Sequence, residues 1–305
     1  MTRADYVIGV DGGGTHARAR LCDGHGAVLG EGQGGPGNIR LGQAVAWANV
    51  NAAIDEALGA AGLSRDVLRR TSIALGLAGI VEEDDGPAML AAGPDFLRAV
   101  AVSDGEIACL GAWGGGDGAI LITGTGSAAY AIVNGIGRPM FGWGFQVDDK
   151  GSAAALGRAA IKWALEARDG LIDDTDFTRA VRDRIGGRPS AMVGWITAAR
   201  PRDFGGLAPM VIEAARAEDA AACAIIARAA HDIARMIDRL VEVGAVRVCL
   251  MGGMAAHIGP WLPASVRSRL EAPQGDALAG AILLSRRLAA PNVQDADGEY
   301  HVARG

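Results

Sequence analysis

The spacing of apolar and polar positions predicts an α/β protein, and the first part of the chain already shows the pattern. Helical spacing is present at 43–58 and again at 106–112. The strand-like runs are apolar or alternating, and they lie at 6–10, 17–22, 27–30, 72–77 and 99–102. This order of strands and helices predicts a mixed sheet with helices packed on it.

A glycine-rich segment at 113–118 separates this pattern from a second one that begins in the same way. A strand at 119–123, a small-residue turn and a returning strand at 128–133 repeat the opening of the chain, and Asn134-Gly135 predicts a hairpin turn. The remaining predicted elements are helices at 151–168, 176–185, 219–243 and 276–288, and a buried strand at 246–251. The repetition is one of supersecondary structure and not of sequence.

Length and repetition together predict two domains, at residues 1–116 and 117–290, followed by a polar tail at 291–305 that could return to the first domain. The net charge of −6 argues against nucleic acid as the main partner, because phosphate neutralisation needs clustered Lys and Arg. No run of 18 apolar residues predicts a membrane span, and no secretory signal is present, so we expect a cytoplasmic protein. The four cysteines share no short spacing, which predicts free and mostly buried thiols.

The first strand ends in Asp11-Gly12-Gly13-Gly14-Thr15, and this turn has two interpretations. Glycines accept positive φ, so the segment could be only a tight turn. Glycines also let backbone N–H groups approach an anion, which makes the segment a candidate phosphate cradle, with Asp11 as a hard oxygen ligand for Mg²⁺. The spacing does not fit a dinucleotide-binding fingerprint, because a strand follows and not a helix.

Other turns and strand ends also have both a structural and a functional interpretation. Gly124-Thr125-Gly126-Ser127 is a second glycine turn, and Gly252-Gly253 follows the strand at 246–251, where it could be a turn or could accommodate an adenine. Asp104 ends a strand and starts a helix, so it is either a first-turn acid behind the cap Ser103 or a general base at a sheet edge.

Three more polar or aromatic positions are candidates with an ordinary structural alternative. Asn38 follows Pro-Gly and could be a turn residue. Trp143 could be core or could flank a ligand, and Asp148 and Asp149 could simply precede the helix at 151–168.

Taken together and in this order, the motifs resemble the superfamily of sugar kinases, heat-shock proteins and actin (ASKHA). The matching segments are DGGGT at 11–15, GLAG at 76–79, the aspartate of VSDGEIACLGA at 104, TGTGS at 123–127 and MGGM at 251–254. Within it the chain resembles the BadF/BadG/BcrA/BcrD family and its branch of N-acetylglucosamine kinases and bacterial glucosamine kinases, from about residue 6 to 284. This likeness is carried by NIRLG, DDKGSAAALG, RPRDFGGLAP, GAVRVCLMGGMA and PQGDALAGAIL.

The resemblance implies two ribonuclease-H-like domains with mixed sheets flanked by helices, hinged over a central cleft. It implies transfer of the γ-phosphoryl of ATP, with Mg²⁺, to the 6-hydroxyl of glucosamine or N-acetylglucosamine. Overall likeness favours the first sugar and GWG at 142–144 the second. We also expect a homodimer. The resemblance implies that Asp104 is the general base and that Asp11 binds the metal. It implies that phosphate is bound by Gly12, Gly13, Gly14, Thr15, Gly124, Thr125, Gly126 and Ser127. It also implies that adenosine is bound by Gly252 and Gly253, and the sugar by Asn38, Gly142, Trp143 and Asp149.

Lys150 departs from the family pattern, where many relatives have Glu after the aspartate, and the zinc motif of the ROK sugar kinases is absent. Two rival functions remain. An ATPase that activates a partner enzyme would need cluster-ligating cysteines, and Cys22 and Cys109 lack that context. A non-catalytic sensor would not need Asp104.

Overall fold

The computed structural model describes residues 4–289, and within them the chain forms nine strands and twelve α-helices. The strands are β1 (Tyr6–Gly12), β2 (Ala17–Asp23), β3 (Val28–Gly34), β4 (Thr71–Leu77), β5 (Arg98–Ser103), β6 (Gly118–Thr123), β7 (Ser127–Val133), β8 (Ile136–Met140) and β9 (Val248–Met251). The helices are α1 (Gln43–Ala60), α2 (Asp85–Ala91), α3 (Asp104–Ala112), α4 (Ala153–Arg168), α5 (Asp176–Arg184), α6 (Pro189–Ala198), α7 (Pro201–Gly205), α8 (Ala208–Arg216), α9 (Ala220–Glu242), α10 (Ala255–Ile258), α11 (Ala264–Arg267) and α12 (Ala277–Ala289).

The first sheet has five strands in the order β3-β2-β1-β4-β5. β2 runs antiparallel to β1 and β3, whereas β1, β4 and β5 are parallel. Gly12 pairs with Leu77, and Leu77 pairs with Ser103. The carboxyl ends of the three parallel strands therefore meet at one edge of the sheet, the place where open α/β sheets bind ligands.

The second sheet has four strands in the order β8-β7-β6-β9. β6 and β9 are parallel, with Ile122 opposite Met251. Asn134 and Gly135, at φ 53° and 76°, form the predicted two-residue turn between β7 and β8, since such turns need two left-handed residues. With their flanking helices, the two mixed sheets confirm the predicted α/β class.

The chain divides into two compact units. Among the described residues, unit 1 comprises 4–118, 130–139 and 272–289, and unit 2 comprises 119–129 and 140–271. In unit 1 the core lies between α1 and the first sheet, and its fully buried side chains include Ile8, Leu21, Ile54 and Leu75. Helix α12 belongs to this unit, where Ser285 Oγ donates a 2.7 Å hydrogen bond to Ser72 O.

In unit 2 the long helix α9, which the sequence predicts at 219–243, buries one apolar face. Ile225, Ile233, Ile237 and Leu240 are all buried. Asp219 caps the helix by accepting a 3.0 Å hydrogen bond from Ala222 N. Burial of one face along 23 residues stabilises a helix more than propensity does. The same face gives the sequence a regular apolar spacing, which is why the helix could be predicted.

The structure adds elements that the apolar pattern did not predict, namely strand β8 and helices α2, α6, α7, α8, α10 and α11. Three of these helices carry proline at their first or second position, a start signal that periodicity alone does not register. Within residues 4–289 no helix combines the length and apolarity needed to cross a bilayer. The predicted domain boundaries stay a prediction. They assigned α12 to the second domain, whereas it groups here with unit 1, and the predicted tail at 291–305 lies outside the described residues.

Candidate functional site

In unit 1, the first glycine turn (residues 11–15) joins β1 to β2 at the carboxyl edge of the parallel strands. Asp11 pairs across the strands with Arg18, whose Nη2 lies 2.7 Å from Asp11 Oδ2. The hydrogen bond to Asp11 raises the pKa of the Arg18 guanidinium. Arg18 Nη1 also lies 3.6 Å from a carboxylate oxygen of Asp276, so the guanidinium holds two acids.

Backbone hydrogen bonds bring two distant segments against this turn. Gly37 N donates to Gly13 O at 3.0 Å, and Ala78 N donates to Gly12 O at 2.7 Å. Asn38, in the first segment, accepts a 2.8 Å hydrogen bond from Arg40 N through its Oδ1. DGGGT, the Pro-Gly-Asn segment and GLAG therefore lie against one another, although 37 residues separate Asn38 from Gly76 in the sequence.

Asp104 is the first residue of α3, directly after β5, at the same sheet edge. Ser103 caps the helix, as predicted, through a 3.1 Å hydrogen bond from Glu106 N to its Oγ. Burial, with a smaller contribution from the Asp11 charge, raises the pKa of the Asp104 carboxyl, although Gly105 N donates to its Oδ1 at 2.9 Å. A partly buried carboxylate with a raised pKa has the properties of a general base.

In unit 2, the second glycine turn (residues 123–127) and the turn after β9 lie side by side. Met254 N donates to Thr123 O at 3.0 Å. Gly252 has φ 94° and leaves no room for a side chain, because a Cβ would lie 2.4 Å from Thr123 O. The start of α4 is joined to the same turn, since Ala153 N donates to Gly124 O at 2.8 Å.

The Trp143 loop (residues 141–150) follows β8 and precedes α4. The Trp143 side chain is 82% exposed, so it is not part of the core. Gly142 has φ 76°, and a Cβ there would lie 2.8 Å from the Ala128 Cβ. Asp149 is only 8% exposed, and its Oδ1 accepts a 3.2 Å hydrogen bond from Ser127 N. Burial raises the pKa of Asp149, against the opposing effect of that hydrogen bond.

Asp148 and Lys150 have a role that the sequence did not reveal. Asp148, predicted as a possible helix-entry acid, is 5% exposed, and Lys150 Nζ lies 2.5 Å from its Oδ1. Burial alone would raise the pKa of Asp148, but the hydrogen bonds from Lys150 and Trp143 N hold it below its usual value. The departure at position 150 thus places a cation against a buried carboxylate. An acid two residues before one of the chain's two lysines was the available signal.

Three glycines, one in each of the turns discussed, are not required by the protein itself. A Cβ at Gly14, Gly124 or Gly253 would meet nothing within 4 Å, and none of the three has a positive φ. Neither packing nor backbone conformation therefore explains them. Open, unsubstituted backbone is what a turn needs if its N–H groups are to approach an anion.

Asp11 has the donor chemistry that Mg²⁺ prefers. Mg²⁺ is usually held by one or two carboxylates, with waters and substrate phosphates completing its shell. Asp11 supplies one partly exposed carboxylate beside the open backbone of the first glycine turn, so the residues present fit this ion.

The fold and these two sheet edges define a protein of the actin-like sugar kinase architecture. The chain belongs to the BadF/BadG/BcrA/BcrD ATPase family, whose profile matches residues 8–284. It is 34% identical to the glucosamine kinase of Vibrio cholerae over 281 residues, which cover 92% of this chain and 96% of that protein.

Two solved structures are similar to this chain. A protein from Chromobacterium violaceum, provisionally named an N-acetylglucosamine kinase, is 38% identical and superposes with a TM-score of 0.81, covering 92% of this chain and 99% of that one. A ROK family glucokinase from Streptomyces griseus, solved with glucose and AMPPNP, is 20% identical with a TM-score of 0.53 over 92% and 99% of the two chains, and shares the fold.

Proposed function

We propose that this protein is an amino-sugar kinase that transfers the γ-phosphoryl of MgATP to the 6-hydroxyl of glucosamine or N-acetylglucosamine. Membership of an ATPase family supports the use of ATP. The glucosamine kinase at 34% identity and the structure named for N-acetylglucosamine support an amino sugar as acceptor. The observation that carries the proposal is the partly buried Asp104 carboxyl with its raised pKa, on the sheet edge that also carries the first glycine turn.

Asp104 acts as the general base. Its carboxylate accepts the proton of the attacking sugar hydroxyl as the bond to phosphorus forms. Phosphoryl transfer depends mainly on positioning and charge neutralisation, and a positioned base adds about 10²–10⁴-fold. Because burial favours the neutral acid, the carboxylate is more basic than a solvated one and takes up the proton more readily.

The two glycine turns hold phosphate through backbone N–H groups, and Gly252 and Gly253 accommodate the adenosine. The family of P-loop proteins uses a lysine for phosphate charge, whereas here Arg18 supplies positive charge beside Asp11. When bound through Asp11, Mg²⁺ neutralises the phosphate oxygens.

The sugar is held by Asn38, Gly142, Trp143 and Asp149. The exposed indole of Trp143 offers an apolar face to a sugar ring. Asn38 uses its Oδ1 for Arg40 N, which leaves its amide N–H₂ to donate to a hydroxyl. Asp149 contacts the second glycine turn, so its carboxylate links a residue that holds the sugar to the turn that holds phosphate.

The test is ADP production with ATP, Mg²⁺ and a panel of glucosamine, N-acetylglucosamine, N-acetylmuramic acid, N-acetylmannosamine and glucose. We expect at least one of the first two to stimulate ADP release far above the sugar-free rate. Stimulation by glucosamine alone would identify a strictly glucosamine-specific kinase. An ATPase rate that no sugar changes would contradict the proposal and favour an ATPase that acts on a partner.

A further inference from the structure

The Trp143 loop has an unusual backbone for so short a segment. Phe141 and Asp149 are non-glycine residues at φ 59° and 60°, and Gly142 and Gly144 lie at φ 76° and 95°. Gly151, directly after the loop, lies at φ 72°. Left-handed conformations at non-glycine positions cost about 1–3 kcal/mol each and persist only where surrounding contacts impose them.

The buried Asp148 carboxylate supplies contacts within the loop. Its Oδ2 accepts a hydrogen bond from Trp143 N at 3.3 Å, and Gly142 N also donates to the carboxylate. Lys150 Nζ lies 2.5 Å from the other oxygen and compensates the buried charge. A buried charge without a partner is costly, and Lys150 supplies the opposite charge to the carboxylate that accepts from these two N–H groups.

The next residues bind the second glycine turn. Asp149 Oδ1 accepts from Ser127 N, Ser127 Oγ donates to Lys150 O at 2.8 Å, and Thr123 Oγ1 donates to Gly151 O at 2.8 Å. A Cβ at Gly126 would lie 2.9 Å from Asp149 Oδ2, so this turn and the carboxylate are in close contact. The end of the loop and Gly151 thus make two sets of contacts: Asp148 contacts Trp143 N at the start of the loop, and residues 149–151 contact the second glycine turn.

We infer that Lys150 and Asp148 are positioning residues that fix the Trp143 loop for the sugar, independently of the backbone contacts that hold the phosphate-binding turn. The inference rests on the proposed function. Lys150 binds neither substrate. Its ammonium acts through Asp148 on the N–H groups of Gly142 and Trp143, and so on the exposed indole. The phosphate side depends on Asp149 and on the Lys150 carbonyl, which a substitution of the Lys150 side chain leaves in place.

The test compares Lys150→Met with Lys162→Met, a matched control at the chain's other lysine, which lies on α4 and pairs only loosely with Glu166 at 3.7 Å. Loss of the charge at 150 is expected to raise the KM for the amino sugar about tenfold, while the KM for ATP stays within about threefold. Lys150→Arg keeps the charge and should restore most of the sugar affinity. Lys162→Met should behave as wild type.

Hydrogen exchange gives a readout that needs no activity. In Lys150→Met, amides of residues 141–149 should exchange about tenfold faster, with no change at residues 123–128. Asp148→Asn provides a second route should the first variant fold poorly, because one amide oxygen replaces two carboxylate oxygens that serve three donors. Its sugar KM and exchange should change in the same way.

Different measurements would contradict this inference and the proposed function. Wild-type exchange behaviour at 141–149 in both Lys150→Met and Asp148→Asn would overturn the inference, as would a sugar KM equal to that of Lys162→Met. A wild-type enzyme that phosphorylates no amino sugar would instead overturn the function, and the exchange measurement would still decide whether the pair fixes the loop.

Discussion

Gly124 in the second glycine turn allows the fold and the ligand to be separated, and the informative change is Gly124→Ala. No heavy atom lies within 4 Å of the position of the added Cβ, and the backbone φ is not left-handed. The turn's own hydrogen bonds, Gly124 N to Gly126 O at 2.9 Å and Ala153 N to Gly124 O at 2.8 Å, involve backbone alone. Such a Gly→Ala change stabilises a protein by about 0.4–1 kcal/mol, because it restricts the unfolded chain.

The expected loss is in nucleotide binding. A methyl group on the open side of the turn keeps phosphate away from the neighbouring N–H groups. Hydrogen bonds to charged groups contribute about 1.5–3 kcal/mol net, so losing one weakens ATP binding by about 10- to 150-fold. Gly59→Ala, in the last turn of α1, is the matched control, because a Cβ there also meets nothing within 4 Å.

Thermal melting and calorimetric titration with ATP in Mg²⁺ test this pair of expectations. We expect both variants to melt at or above the wild-type temperature, and only Gly124→Ala to lose ATP affinity. A Gly124→Ala protein that binds ATP within about threefold of wild type would refute the assignment of this turn to phosphate, since one lost hydrogen bond is worth tenfold or more. A markedly lower melting temperature would show that the fold itself requires the glycine.

Asp104→Asn should lower kcat by at least about 100-fold with ATP binding intact, and a turnover near wild type would remove Asp104 as the base. The same variant should melt no lower than wild type at pH 7. Burial raises the pKa of Asp104 in the folded protein above its unfolded value of about 3.9, so the protein loses stability as the pH rises above that value, and the substitution removes this cost. The pH profile of kcat/KM should fall on the acid side with an apparent pKa above about 3.9, because burial raises the pKa of the base, and an acid limb at or below that value would contradict this environment. Trp143→Ala should raise the sugar KM with little change in melting temperature, because the indole is 82% exposed; an unchanged sugar KM would exclude the indole from the sugar site.

The sheet-forming segments were predictable because their signals are local. β1, β2 and β4 alternate or are continuously apolar, and α9 carries a long stripe, so periodicity located them within a few residues. The glycine turns and Asp104 were located from strand ends and motif order. The short helices α6 to α8 were missed because their start signals are prolines, and because α6 and α7 each bury a single side chain, Met192 and Phe204.

Specific side-chain contacts were not predictable from the sequence, even between residues that are close along the chain. Asp148 and Lys150 are two residues apart, but nothing local indicates that the carboxylate is buried and holds the Trp143 loop. Likewise, Arg18 and Asp11 pair because β1 and β2 have a particular register, which the alternation alone does not set uniquely. Both cases depend on backbone geometry, which forms only once the sheet and the loop are in place.

The position of the transferred phosphate on the sugar decides whether this protein is an amino-sugar 6-kinase. The product of a complete turnover with ATP, Mg²⁺ and glucosamine or N-acetylglucosamine can be examined by proton–phosphorus correlation NMR. We expect a phosphorus signal coupled to the two protons on C6 of the amino sugar, formed by wild type and at least about 100-fold more slowly by Asp104→Asn. A phosphorus signal coupled to the anomeric proton, or inorganic phosphate as the only new species, would contradict it.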